Sequence, residues 1–228
     1  MRNSVARSTL KIMYSDPVQT EYSHLAKQYD SRWSFYVNAT IRETLNRLEI
    51  NQGERILDLG CGTGVLIQRL LQVSPEIEIV GIDTSAEMLE IAKQKLPESV
   101  ELKLGSADNL PFVSNYFDIV VSTSAFHFFR DPSQALQEAK RVLKPNGRLV
   151  ITDWCYDYLT CKACDFFLRC FNPAHFRTYG VAEFQAMMQD RGLQGIAIER
   201  YKIDWFWGMM TATAVKEASN NKPVAVIN

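Results

Sequence analysis

Long apolar runs are missing from this chain, and so are blocks of one charge. No run approaches the ~18 consecutive apolar residues of a membrane span, and no apolar signal-peptide core stands near the start. Lysine and arginine total 25 against 26 acids, a formal charge of -1 without a Lys/Arg block. That balance gives no general attraction to polyanions, so a nucleic-acid partner is not expected. Residues 1–15 carry Arg2, Arg7 and Lys11 and no acid, and read as a frayed basic terminus in preference to an organelle-targeting segment. The five cysteines, Cys61, Cys155, Cys161, Cys164 and Cys170, are odd in number, and the first sits in a glycine-rich turn. That usage points to reduced thiols and a cytoplasmic location. Cys161 and Cys164 have Cys-x2-Cys spacing, but their flanks are aromatic and helical and lack glycine-bearing knuckles, so no metal is expected.

What is present is enough apolar sequence, 46% of 228 residues, for one ordinary globular domain. Its centre is Arg55 to Leu66, RILDLGCGTGVL. An apolar run ends in Gly60, Gly62 and Gly64, which predicts a strand delivered into a tight turn. Glycine there lets a ligand approach the backbone. Val65, Leu66, Leu70 and Leu71 then share one helical face, so free N–H groups at the helix start point back over the glycines. A dinucleotide fingerprint wants glycine at the first, third and sixth positions. Here the sixth is Val65, and Asp58 stands where it would repel a pyrophosphate. An acid beside exposed N–H groups suits a ligand carrying both an ammonium and a carboxylate.

Further strands are predicted at Ile77–Ile82, Val100–Leu104, Phe117–Ser122 and Arg148–Asp153. Helices are predicted between them, the last stopped by Lys144-Pro145-Asn146-Gly147. Alternation of this kind predicts an α/β fold with a mostly parallel sheet covered on both faces and a ligand crevice beyond the strand C-termini. Two closely spaced strands, Ile196–Ile203 and Met209–Val215, predict an antiparallel pair at the end. Asp83 closes the second strand, where an acid can accept from vicinal ribose hydroxyls. Asp118 reads as a turn-holding residue. Residues 17–49 read as helices, with Tyr22, Leu25, Ala26 and Tyr29 on one face and Ile41, Leu45 and Leu48 repeating the pattern. The aromatic stretch Tyr29 to Tyr36 is either a helix packed on the sheet or a cap over the ligand.

DLGCGTG, with the later NLPF, FDIVVS and VLKPNGRLVI segments, resembles the class I S-adenosylmethionine-dependent methyltransferases. It is similar to their type 11-like small-molecule branch, which includes the ubiquinone and menaquinone C-methyltransferases. The resemblance covers about residues 50 to 155. It implies a Rossmann-like seven-stranded sheet with an antiparallel last strand inserted beside the fifth. It implies S-adenosylmethionine as cofactor and S-adenosylhomocysteine as product. It further implies a cofactor site made of Tyr29, Asp58, Gly60, Gly62, Gly64, Asp83, Thr84, Met88, Ala107, Asp108, Asn109 and Ser122. Asp108 would meet the adenine amino group or, on sequence alone, hold a turn. Tyr29 would lie near the cofactor carboxylate.

The expected partner is a small acceptor, partly apolar or aromatic, methylated by in-line displacement by a monomer or homodimer. The alternative is a catalytically weak S-adenosylmethionine- or S-adenosylhomocysteine-binding regulatory or scaffold protein. His127 at the end of the fourth strand, Asp153 at the end of the fifth, and His175 are the candidate catalytic groups. His127 is either a general base or a structural residue of the rim. The chain divides into a helical cap segment (1–49), the cofactor-binding domain (50–217) and a loose tail (218–228). Residues 154–179 form a substrate-side insertion dense in aromatics, either a lid over the acceptor or a hairpin packing its own core. Trp205, Phe206 and Trp207 sit at the last turn, facing the pocket, a partner or a membrane surface.

Overall fold

A computed structural model describes residues 28, 30–172 and 175–218. The expectations placed on Tyr22, Leu25, Ala26, Tyr29 and the tail from residue 219 lie outside the described residues. Seven strands form one sheet in the order β3-β2-β1-β4-β5-β7-β6. They are β1 (Arg55–Leu59), β2 (Glu78–Asp83), β3 (Glu101–Leu104), β4 (Phe117–Thr123), β5 (Leu143–Trp154), β6 (Leu193–Lys202) and β7 (Gly208–Lys216). Strand β7 pairs antiparallel with both β5 and β6, and the other pairs are parallel. The sheet therefore has the single reversed strand, inserted beside β5, that was expected above.

Successive side chains of a strand face opposite ways, and here the central strands feed two separate cores. Leu57, Leu59, Val120, Leu149 and Ile151 face a core closed by α4 (Pro132–Val142) and α6 (Val181–Asp190). Ile56, Ile119, Val121 and Val150 face the other, closed by α1 (Ser34–Leu45), α2 (Val65–Val73) and α3 (Ala86–Lys95). Burial on both faces explains why these strands read as unbroken apolar runs.

Three local readings change. Helix α4 ends at Val142 and β5 starts at Leu143, so the Lys144–Gly147 stretch lies inside the opening of β5, with Asn146 at φ 63. Asp118 does more than hold a turn: it accepts from the Arg55 N–H at 2.9 Å and from Lys144 Nζ at 2.7 Å, joining three strands at one end of the sheet. Helix α6, between the insertion and β6, was not read from the sequence.

Helix α1 is pinned to the sheet by hydroxyls. Thr44 Oγ1 lies 2.8 Å from Thr152 Oγ1 and 3.1 Å from Thr123 Oγ1, and Thr152 lies 2.9 Å from Thr211. Thr123, Thr152 and Thr211 are register partners across β4, β5 and β7. This row sets the height of α1 over the strand ends. Among the described residues, no helix is long and apolar enough to cross a membrane.

Candidate functional site

A cavity opens beyond the C-termini of β1, β2 and β4, where the strand order reverses, the usual ligand position in such sheets. Its floor is the glycine turn. Gly60 has φ 73, and a Cβ there would stand 2.5 Å from the Cβ of Ala125, so the turn can lie against the β4 loop only as glycine. At Gly62, φ 52, a Cβ would meet nothing within 4 Å, which leaves that stretch of backbone open to the cavity. Gly64 begins α2 and packs toward Ala92 and Leu96, off the cavity wall.

Two carboxylates stand beside the turn. Asp83 Oδ2 accepts from the Gly62 N–H and Oδ1 from the Ser85 N–H, both at 2.8 Å. Asp83 thus fixes the glycine turn as well as facing the ligand space. Burial raises its pKa, and the N–H groups of Ser85, Gly62 and Thr84 oppose that rise. Asp58 is buried and its Oδ2 has no hydrogen-bond partner. Burial, and then the neighbouring Asp83 charge, push its pKa to about 8. A buried carboxyl group without a partner is costly, and an ammonium placed against it would supply the missing donor.

The remaining walls come from several elements. Thr84, Ser85 and Met88 follow β2, and Gly105, Ser106, Ala107 and Asp108 follow β3. That second loop is clamped from behind: Glu138 accepts from the Leu110 N–H at 2.8 Å, and Arg141 donates to the carbonyls of Leu110 and Phe112. Val37, Thr40 and Ile41 of α1 form one side, and Thr123, Ser124, Ala125, Phe128, Phe129 and Arg130 another. Thr63 of the turn donates to Asp30 at 2.6 Å, and Asp30 also pairs with Lys95, which ties the chain before α1 to the turn.

Of the expected cofactor residues, Asp58, Gly60, Gly62, Asp83, Thr84, Met88, Ala107 and Asp108 line this cavity. Gly64, Asn109 and Ser122 do not. The Asn109 N–H closes a turn onto the Ser106 carbonyl. The Ser122 hydroxyl is buried in the sheet and donates to the Leu59 carbonyl at 2.9 Å. The α1 wall, Cys61 and Thr63 were missed, and in the segment after β4 the sequence pointed to His127 where Ser124, Ala125, Phe128, Phe129 and Arg130 line the cavity. The spacing of Val37 and Ile41 marked a helix face, but not which neighbour it would cover.

The three candidate catalytic groups form a separate buried cluster. His127 lies on a short 3-10 turn (Phe126–Phe128), buried and not at the crevice mouth. Its Nδ1 is 2.6 Å from Asp153 Oδ1, its backbone N–H donates to Asp153 Oδ2 at 2.9 Å, and its ring stacks on Trp154. Asp153 therefore points at His127 and not into the cavity. His175 pairs through Nε2 with Asp165 at 2.8 Å, and its Nδ1 is buried without a partner. Burial and the neighbouring His127 lower its pKa against the opposing pull of Asp165.

The insertion contributes α5 (Leu159–Phe171), which packs Cys161 and Asp165 inward. Phe166, Phe167 and Phe171 are exposed and line no part of the cavity. At the β6–β7 turn, Trp205 faces outward while Trp207 packs against Trp33, Tyr36 and Trp154. Cys61, Cys155 and Cys161 are buried free thiols, Cys164 is half-buried, and Cys170 is exposed.

Known proteins share this architecture. A family described as "Methyltransferase domain" matches residues 57–151. An uncharacterized methyltransferase of Bacillus subtilis, YcgJ, is 30% identical over 192 residues, 81% of this chain and 75% of that protein. The demethylmenaquinone methyltransferase of Thermotoga maritima is 43% identical over 106 residues, 46% of this chain and 45% of that protein, so the match spans under half of each. Among solved structures, a complex of the Haloferax volcanii Trm112 methyltransferase activator with a putative methyltransferase superposes with a TM-score of 0.77 at 21% identity. It covers 87% of this chain and 98% of that one. Glycine turn, paired aspartates, sheet order and these matches agree: the chain belongs to the class I S-adenosylmethionine-dependent methyltransferases, related to those of the menaquinone and ubiquinone type.

Proposed function

We propose that this protein transfers a methyl group from S-adenosylmethionine to a small, partly apolar acceptor by in-line displacement. The observation that carries the reading is Asp58, a buried carboxyl with an unpartnered oxygen beside the open backbone of Gly62. The residues present fit the cofactor. Asp58 would take its ammonium, and the turn and the start of α2 its carboxylate. Asp83 would take its ribose hydroxyls, and Asp108 with the loop after β3 its adenine. Met88 would pack beside the ribose and base. When bound, the cofactor supplies a methyl on a positively charged sulfur, an electrophile that needs little activation. The chain's task is then alignment and exclusion of water.

Val37, Ile41, Phe128 and Phe129 give the cavity an apolar stretch, which suits a ring or hydrocarbon-bearing acceptor. The name of the Thermotoga maritima relative supports a ring acceptor of the quinol kind. The near-neutral charge favours a small molecule over a nucleic acid. Five free cysteines suit a reducing compartment such as the cytoplasm, and the chain acts as a monomer or homodimer. Buried pairing gives His127, Asp153 and His175 the role of bracing the wall behind Phe128.

The test is formation of S-adenosylhomocysteine across a panel of phenols, quinols and small carboxylates. Acceptor-dependent turnover that Asp58→Asn lowers at least tenfold is expected. Cofactor binding with no turnover on any class would contradict the reading and leave a ligand-binding protein.

A further inference from the structure

Ser124 lies on the cavity wall just past β4 with φ 55, in the left-handed region that non-glycine residues seldom occupy. Such a conformation persists where its surroundings enforce it. The backbone side is held by the Ser124 N–H, which donates to the Thr152 carbonyl at 2.8 Å. The side-chain side is held by a directional chain. Trp154 Nε1–H, which can only donate, gives its proton to Tyr36 Oη at 2.6 Å, and the Tyr36 O–H donates to Ser124 Oγ at 2.7 Å. With the tyrosine proton on its oxygen, Ser124 has its own proton left to give. Among the described residues no protein group accepts it. Ser124 lines the cavity with Val37, Ile41 and Phe128, and the neighbouring lining hydroxyls are engaged elsewhere, Thr40 with the carbonyls of Tyr36 and Val37 and Thr123 with Thr44.

We propose that Ser124 is an acceptor-binding residue that donates a hydrogen bond to an oxygen lone pair of the methyl acceptor, with Tyr36 and Trp154 as positioning residues. This rests on the methyl-transfer reading and narrows its acceptor to apolar molecules carrying a carbonyl, enolate or phenolate oxygen. A donor at that oxygen orients the ring and favours negative charge on the oxygen. It thereby raises the fraction of a phenol or enol present as its anion, the proton leaving to solvent, and holds the nucleophilic carbon or oxygen in place.

The test uses the full chain saturated with S-adenosylhomocysteine and two probes, acetophenone and α-methylstyrene, which differ by an oxygen in place of a methylene. Acetophenone only accepts hydrogen bonds, so its preference over α-methylstyrene reads donation from the protein. The wild type should prefer acetophenone by about threefold to tenfold, the range for one ordinary hydrogen bond. Ser124→Ala keeps the Cβ and should lose the preference with S-adenosylhomocysteine affinity unchanged. Ser124→Gly should lose it as well while relieving the left-handed backbone, which guards against misfolding of the alanine variant. Tyr36→Phe, which leaves the serine hydroxyl undirected, should give an intermediate preference. A preference retained in both serine variants would overturn the proposal. A wild type that does not bind S-adenosylhomocysteine would overturn the reading beneath it, and the proposal with it.

Discussion

At the scale of single residues, Asp58 is where burial becomes ligand selectivity. With its pKa near 8, the Asp58 carboxyl of the free protein holds its proton at pH 7, and an incoming ammonium must drive that proton off. Binding of S-adenosylhomocysteine at pH 7 should therefore release close to one proton. Calorimetry in buffers of different ionisation enthalpy reads that number directly, and Asp58→Asn should show none. The sign follows from linkage: the free protein carries more protons than the complex below pH 8, so affinity rises from pH 6 to 8, by up to about tenfold per unit. Above that range Asp58 is already ionised in the free protein and the gain ends. His127 behaves differently, because its ring is occupied by Asp153 and stacked on Trp154. His127→Gln should lower turnover less than tenfold and lower the unfolding temperature. A loss of roughly 10²–10⁴-fold with disappearance of a pH limb would make it a general base instead.

At the scale of elements, α1 carries one wall of the cavity and is held at its height by Thr44. Thr44→Val removes a buried hydroxyl bonded to Thr152 and near Thr123, which should cost about 1–3 kcal/mol of stability. Thermal unfolding measures that cost, and acceptor KM should rise with it as Val37 and Ile41 shift. The glycine turn, the strand ends at Asp58 and Asp83 and the reversed β7 were legible in the sequence. Each is encoded locally, by alternating glycines, by an acid closing an apolar run, or by two strands a few residues apart. The wall supplied by α1 was not legible, since it depends on hydroxyls spaced up to 108 residues from Thr44. Nor was the inward turn of His127, whose partner Asp153 lies 26 residues on. The outward set of Phe166, Phe167 and Phe171 was hidden for a related reason: Cys161 and Asp165 decide which face of α5 packs, and periodicity alone does not rank them.

At the scale of the whole molecule, two cores on opposite faces of one sheet leave its strand C-termini as the place for ligands. The reversal of strand order between β1 and β4 opens the crevice there, and the glycine turn lines it with backbone. Dinucleotide-binding proteins use a related crevice, so the claim that divides the two readings is which ligand this one accepts. The decisive measurement is calorimetric titration of the full chain with S-adenosylhomocysteine and, separately, with NAD at pH 7. The account predicts binding of S-adenosylhomocysteine with one proton released, and NAD much weaker because it brings no ammonium to pair with Asp58. Equal or tighter binding of NAD would contradict it.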